Sequence, residues 1–551
     1  MRGRIVDSAA ACGVNLRNPN LRRAQASFGA IWAGEWAATV GIGVVAFRHG
    51  GPAAVGLVGG ARMVPAAIVA PFAAMVADRT RRDAVLVWVG LARALMLGIA
   101  AGIGMANGPV VLVYLALVVA TVAQTLFRPA HSALLPTLCS TPAELTSANV
   151  VRGLLDSSAT LVGPLVAAVL LKASGPSAVF VAAAVASALA AALIVGVEYE
   201  LPPRLSGIVG MTPVREAFEG VRAIATDGAL TLLTGLTALQ TFIRGALTVF
   251  VVVLSINALG GGQAGVGLLT AAIGAGAVIG SLSSTLLVGR GGLARWFGIG
   301  VAIWGAPLVV IGIASNVPVA IAMLALVGIG NALVDVGVFT LLARLSEDAV
   351  LARVFAAFEG IITLGVAAGA IVASGVIGTL GVRPALLTVG CLTPVATLAC
   401  WRWLRALDWR MRVRDADVEL LRMIPMLRPL PEVTIEHLAA GLRRTQVPAG
   451  GMVFEQGDDG HDFYVIERGR ASVIADGRPI RVLGPGDGFG EIALLRACHR
   501  TASVHARTEL TLCSLDQHVF VTAVAGYSAS ATVADDVVTD RLTHFWPEVK
   551  P

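Results

Sequence analysis

The feature that most constrains this chain is a succession of hydrophobic runs, each matching the ~20 residues that a helix needs to cross the core of a bilayer. They fall near residues 27–47, 52–76, 84–104, 108–128, 150–171, 176–197, 229–256, 264–288, 296–314, 317–343, 355–379 and 384–404. Lipid offers no partner for backbone N–H and C=O groups, so runs of this length predict helices, and there are twelve of them. The polar stretch VEYELPPRLSGIVGMTPVREAFEGVRAIATDGA leaves six on each side, an arrangement expected of a transporter made of two repeats. Of the 551 residues 56% are hydrophobic and only 14% charged, but from Arg405 onward the polarity is that of an ordinary soluble domain. Two regions with different solvents are therefore predicted.

The loops set an orientation. Arg79, Arg81 and Arg82 follow the second run, Arg128 the fourth, Arg290 and Arg295 the eighth, and Arg344 and Arg353 the tenth; Arg204, Arg215 and Arg222 lie in the middle loop. The opposite loops hold little beyond Arg48, Lys172 and Arg383. The positive-inside rule then puts both ends of the chain, and the soluble region, on the cytoplasmic side of the cell membrane. These loops account for the net charge of +6, so nucleic acid is not an expected partner; the bilayer is. Residues 1–26 have no apolar segment before Arg23 and read as a cytoplasmic leader. The six cysteines show no CxxC spacing and no histidines at ligand intervals, so neither a disulfide framework nor a metal site is expected. No nucleophile with a base and an orienting group is visible, so the chain does not read as an enzyme.

Charges inside the bilayer are costly and usually face a cavity or a partner. Glu35, Arg62, Arg93 and Arg244 lie near the centres of the first, second, third and seventh runs, and Asp335 lies in the tenth with Asn331 one turn before it. A buried carboxylate with a nearby arginine can take and release a proton, or form a static pair such as Glu35 with Arg62. Arg152 and Asp156, four residues apart, suggest a local helix pair. The segment GAGAVIG at 274–280 resembles a dinucleotide-binding loop, but it sits inside the eighth run, where Gly276 and Gly280 have the spacing for close helix packing.

AAMVADRTRRDAVL, residues 73–86, resembles the loop between helices two and three of the major facilitator superfamily, G-x-x-x-D-R-x-G-R-R. Asp78, Arg79 and Arg82 match, whereas Ala74 and Arg81 replace glycines. Together with QTLFRPAHSALLPTLCSTPAELTSANVVRGLLDSSATLVGPL, it is similar to the branch of enterobactin exporters and macrolide efflux pumps, over about residues 20–405. The resemblance implies proton-coupled export of a siderophore- or drug-like small molecule, with Asp78, Arg79 and Arg82 as a gating motif. It also implies that helices one, four, seven and ten line the cavity. Glu35, Gln124, Arg244, Asn331 and Asp335, with Arg62 beside them, are then the transport and proton-coupling candidates.

After Trp403, Leu420, Leu421, Ile424, Leu427, Leu438 and Leu442 suggest helical faces. From Pro448 the pattern becomes MVFEQ, DFYVIERG, RASVIA, RPIRVLG, ASVHA and LTLCSL, short strands separated by Gly and Asp turns. A small β-barrel flanked by helices is expected. PAGGMVFEQGDDGHDFYVIERGRASV and GPGDGFGEIALLRACHRTASV resemble the cyclic nucleotide-binding domain and its phosphate-binding cassette, over about residues 415–546. The resemblance implies cyclic AMP or cyclic GMP as a regulatory ligand, held by Gly490, Glu491, Ile492, Ala493, Arg500 and Thr501, with His499 in place of a common proline. Arg541, Leu542 and Phe545 are expected near the base. A pairing of Glu491 with Arg500 would instead mark a barrel that no longer binds.

The expected fold is thus a twelve-helix major facilitator domain followed by an α+β cyclic nucleotide-binding barrel. Its parts are the leader at 1–26, a membrane domain at 27–404 (halves 27–197 and 229–404, middle loop 198–228), a helical linker at 405–430 and the binding domain at 431–551. The function read from it is transport regulated by a cyclic nucleotide. A membrane-anchored nucleotide receptor with a non-transporting core is the alternative, and the oligomeric state is left open.

Overall fold

A computed structural model describes residues 18–139, 142–197, 213–284, 292–346, 348–430 and 432–545. Contacts divide the chain into two units that meet at Arg405 and Ala406.

Among the described residues, eleven helices are long and apolar enough to cross a membrane. The first, Pro19–Arg79, leaves helical geometry at Gly50 and Gly51, where Gly51 has a φ of 61° open to glycine and strained for other residues. Its two arms are spans one and two, which makes twelve spans. The rest follow in order as Arg82–Met105, Val110–Leu138, Pro142–Ala173, Pro176–Ile194, Gly228–Ala258, Gly262–Ser284, Leu293–Ile313, Val317–Leu345, Asp348–Leu380 and Val382–Met423. The first helix begins earlier than its apolar run because Asn18 caps it, its Oδ1 accepting from the N–H of Asn20 and Leu21 at 3.1 Å. Arg23 then donates to the carbonyls of Val195 and Gly196 at the end of span six, where a helix leaves its last carbonyls unpaired. Span twelve continues past its apolar run to Met423, because Arg405–Met423 contains no proline or glycine to stop it.

Glycines decide which helices meet. A Cβ on Gly56 or Gly60 of span two would strike Ser374 or Ile371 of span eleven, and one on Gly267 or Gly274 of span eight would strike Pro164 or Leu161 of span five. If span n corresponds to span n + 6, these are one contact made twice, and they join the two halves. Within the halves, Gly163 of span five lies against Ala33 of span one, just as Gly369 of span eleven lies against Phe242 of span seven. The GAGAVIG segment packs as expected: a Cβ on Gly276 would run into the backbone of Ala325 in span ten.

One local expectation differs. Arg152 and Asp156 do not pair with each other; Arg152 donates to Ser132 at 2.7 Å and Asp156 meets Arg128 at 3.3 Å. Both reach the end of span four, whose polar groups are on the neighbouring helix face. The middle loop contains a helix, Pro213–Thr226, that buries Ile224 and joins Glu219 to Arg353 at 2.5 Å, so it docks on the start of span eleven.

In the second unit, eight strands among the described residues form two antiparallel four-stranded sheets, in the orders β1-β8-β3-β6 and β2-β7-β4-β5. The strands are β1 Arg443–Val447, β2 Met452–Phe454, β3 Asp462–Arg468, β4 Ala471–Ala475, β5 Arg478–Leu483, β6 Gly488–Phe489, β7 Ser503–Ala506 and β8 Leu510–Asp516. The six runs of the sequence all become strands, whereas β1 and β6 were not visible in it. β1 is exposed at four of five positions and exists by pairing with β8. Asp476 and Gly477, both at positive φ, close the β4–β5 hairpin in two residues. Leu421, Ile424, Leu427, Ile435 and Leu438 share one core with Phe463 and Phe520, whose rings stack at 4.3 Å.

Cys513 is fully buried on β8, with its Sγ donating to Glu467 Oε2 at 3.6 Å, and burial pushes its thiol up to about 12. Cys498 is exposed. Brief alkylation of the native protein at pH 8 should therefore label Cys498 and spare Cys513, and both should react after denaturation, as read by peptide mass spectrometry; early labelling of Cys513 would contradict this packing.

Candidate functional site

The short helix Glu491–Leu495 follows β6, and Gly490 lets the chain turn into it at φ +90°. A Cβ on Gly490 would collide with the guanidinium of Arg500, so the glycine serves both the turn and the close approach. The first N–H groups of such a helix have no partner within it.

Arg500 is 4% exposed. Its Nη1 donates to the Gly490 carbonyl at 2.9 Å and its Nη2 to the Asp462 carbonyl at 2.8 Å, while Nε has no hydrogen-bond partner. The guanidinium lies over the rings of Phe454 at 4.3 Å and Tyr464 at 5.7 Å, which favour a cation on their faces. Burial pulls its pKa below the ordinary arginine value. Its backbone is also held, its N–H bonding Asp458 O and its C=O accepting from Gly457 N, both at 2.8 Å.

Glu491 is 1% exposed, and it does not pair with Arg500. Its Oε1 accepts from Nη1 of Arg541 at 2.7 Å, and its Oε2 is buried without a hydrogen-bond partner. Arg541 comes from the last helix, Ser528–Phe545, and also donates from Nη2 to the Gly488 carbonyl at 3.1 Å.

A cavity of about 70 Å³ opens here, lined by Gly490, Glu491, Ile492, Ala493, Arg500 and Thr501. All six residues expected from the cassette are therefore together. Arg541 lines it as well, Leu542 does not, and the side chain of Phe545 lies outside the described ones. The sequence did not point to Phe454, Val473, Ile480 and Leu483, which form the apolar wall of the cavity. They lie on β2, β4 and β5, and Ile480 and Leu483 are three residues apart, a spacing without the alternation that would have marked them as one face. His499, at the place of the common proline, meets Asp459 at 2.8 Å on the surface.

In the membrane unit, Glu35 is held from both sides. Arg62 Nη2 lies 2.8 Å from Oε1, and Arg93 Nη2 lies 2.8 Å from Oε2. Arg62 also bonds Thr121 at 2.9 Å, and Arg93 bonds the Ala120 carbonyl at 3.1 Å. Gln124 is buried one turn further along that helix. Asp335 is separate from this cluster, exposed, and accepts from Asn331 at 2.8 Å. Arg244 lies over the Trp36 ring at 5.8 Å. Arg82 donates to the Ala133 carbonyl at 2.8 Å, tying the third span to the fourth; the side chains of Asp78 and Arg79 lie outside the described ones.

Residues 26–290 match the Major Facilitator Superfamily, and residues 444–527 match the cyclic nucleotide-binding domain. This is a major facilitator domain joined to a cyclic nucleotide-binding domain. The protein is accordingly a multi-pass membrane protein. It is 39% identical over 110 residues to a cAMP-dependent protein kinase regulatory subunit of Schizosaccharomyces pombe, covering 20% of this chain and 27% of that one. It is 30% identical over 128 residues to a cyclic nucleotide-gated potassium channel of Rhizobium etli, covering 22% and 36%. The chain thus spans about a quarter to a third of these curated relatives. Among solved structures, the regulatory subunit of a cAMP-independent protein kinase A from Trypanosoma brucei aligns with a TM-score of 0.22 and 22% identity, covering 25% of this chain and 49% of that one.

Within the nucleotide-binding domain, the Arg541–Glu491 pair ties the last helix to the cassette. Arg541→Ala leaves a buried carboxylate without its cation, which costs about 1–3 kcal/mol for an unmet charged hydrogen bond. Faster hydrogen exchange at 488–495 and 528–545 of the full chain is expected, with partial recovery when Glu491→Gln is added; unchanged exchange would mean that the pair does not hold the helix.

Proposed function

We propose that this protein is a proton-coupled exporter of a small molecule in the cell membrane, whose activity is set by a cyclic nucleotide bound on the cytoplasmic side. The observation that carries the regulatory part is one cavity with two unmet atoms, Nε of a buried arginine and Oε2 of a buried glutamate. A cyclic nucleotide supplies what each lacks. Its phosphate meets Arg500 and the N–H groups of the cassette helix through charge-assisted hydrogen bonds. Its ribose 2'-hydroxyl donates to Glu491, and its base lies against the wall of Phe454, Val473, Ile480 and Leu483. Cyclic AMP is the ligand we favour, since relatives matched by this chain are named cAMP-dependent protein kinase regulatory subunits. Thr501, whose hydroxyl can bond the phosphate or a guanine amino group, keeps cyclic GMP as the alternative.

For transport, the matched superfamily and the six-plus-six arrangement support alternation of two halves around a central site. The arginine-rich loops support a cytoplasmic position for the nucleotide-binding domain. We assign the coupling proton to Asp335, which has one hydrogen-bond partner among the described residues, whereas Glu35 is clasped by two arginines. Asp78, Arg79 and Arg82 serve as the gate between states. The nucleotide shifts the transporter only insofar as it binds its states with different affinity. The clasped Glu35 is also what favours the second reading, a nucleotide receptor whose membrane core no longer transports.

Titration calorimetry separates the contacts. Arg500→Ala should lose roughly ten- to two-hundred-fold in affinity, the scale of a charged hydrogen bond of about 1.5–3 kcal/mol. Glu491→Ala should narrow the preference for cyclic AMP over its 2'-deoxy analogue, and Thr501→Ala should chiefly penalise cyclic GMP; absence of binding by the unaltered protein would sink the regulatory reading. In proteoliposomes, Asp335→Asn should abolish pH-driven flux while nucleotide binding persists. Full proton dependence in that variant would move the proton elsewhere, and no flux in any protein would favour the receptor.

A further inference from the structure

We infer that the membrane domain contains a binding site for an organic anion, built on Arg62 of span two and Arg93 of span three, with Glu35 as its resident counter-charge. The inference rests on reading this domain as a transporter, and it assigns the sign of the charge that the cargo carries.

The cluster is not electrically closed. Two guanidiniums face one carboxylate, each 2.8 Å from a different oxygen, and Arg62 and Arg93 are 4% and 0% exposed. Their other hydrogen bonds among the described residues are to neutral groups, the Thr121 hydroxyl and the Ala120 carbonyl. One positive charge is therefore left over in a region where an uncompensated charge is costly. The donors are not exhausted either, since Arg93 Nε is buried without a hydrogen-bond partner among the described residues. Gln124, 8% exposed and one turn beyond Ala120 and Thr121, has neither its amide oxygen nor its nitrogen paired. A carboxylate or similar delocalised anion would supply the missing charge and accept from these donors. Glu35 is the most exposed member of the cluster, at 14% of its side chain, so it stands at the entry and yields its place as the anion arrives.

A second feature has the same sign. At the far end of span one, thirteen residues or ~20 Å along the helix from Glu35, Arg48 and Lys172 line a cavity of about 750 Å³ with Phe47, Leu171 and Gln263. No acidic side chain lines it among the described residues. This mouth lies opposite the loop that carries Arg81 and Arg82, on the side where the proposed exporter releases its cargo. An anion leaving the central cluster meets two exposed cations there.

The test uses the purified full-length protein in detergent, with 2-naphthoate, 2-naphthylmethylammonium and 2-naphthalenemethanol as probes matched in shape and different in charge. Thermal unfolding is followed by light scattering. 2-Naphthoate alone should raise the unfolding temperature. Glu35→Gln should unfold at a lower temperature without ligand and need about tenfold less 2-naphthoate for half its effect, whereas Arg62→Gln should need at least about tenfold more, the scale of one charged contact. An equal response to all three probes, no response to any, or a 2-naphthoate response that Arg62→Gln leaves unchanged would overturn the site. If Glu35→Gln does not fold, Arg62→Gln still decides. Flux in proteoliposomes distinguishes the two readings: binding with this charge pattern but without flux keeps the anion site and removes the transporter, while flux of 2-naphthylmethylammonium that is unaltered in Arg62→Gln keeps the transporter and removes the anion site.

Discussion

Close approach of helix backbones is the constraint on which the membrane domain depends. Lipid is as apolar as leucine, so helices do not gain by hiding hydrophobic side chains from it, and they associate through packing and polar contacts. Gly56 and Gly60 bring span two onto span eleven, and Gly267 and Gly274 bring span eight onto span five. These two contacts are related by the internal repeat, so both edges of the interface between the halves obey the same rule. Arg244 and Asp335, by contrast, have exposed side chains.

Buried charge follows a second rule in both units: it is tolerated where other groups meet it. Arg500 is met by two carbonyls and two aromatic rings, and Glu491 by Arg541. Glu35 is met by Arg62 and Arg93. In each place the match is incomplete, and unpaired atoms remain on Arg500, Glu491, Arg93 and Gln124. An unmet buried hydrogen bond is expensive, so positions where several such atoms converge are those where a ligand gains most by arriving. The same reasoning sets the sign of the ligand groups proposed above, a phosphate beside Arg500, a donor beside Glu491 and an anion beside Arg62 and Arg93.

The nucleotide-binding domain also shows how one segment serves both fold and site. Gly490 turns the chain at positive φ and admits the Arg500 guanidinium against its backbone. The apolar residues following the last span, Leu421, Ile424 and Leu427, enter the core with Phe463 and Phe520. The region that read as a helical connection is thus part of what keeps the domain folded.

The sequence by itself determined the membrane spans, the six-plus-six division, six of the eight strands and the six cassette residues. Each of these is written locally, in the length of an apolar run, in alternation, or in a motif of fixed spacing. The extra helical turns of span twelve were legible too, in the absence of glycine and proline after Arg405. Tertiary structure alone decided the partners. Glu35 could have met Arg62 or nothing; it meets Arg62 and Arg93 because three spans converge at the same depth. Glu491 could have closed on Arg500; it closes on Arg541, because the last helix returns over the cassette, while carbonyls of Gly490 and Asp462 satisfy Arg500. β1 is a strand only because β8 lies beside it. A sequence states which side chains carry charge and which backbone can extend, but a pairing depends on the distance between residues remote in the chain, and packing sets that distance.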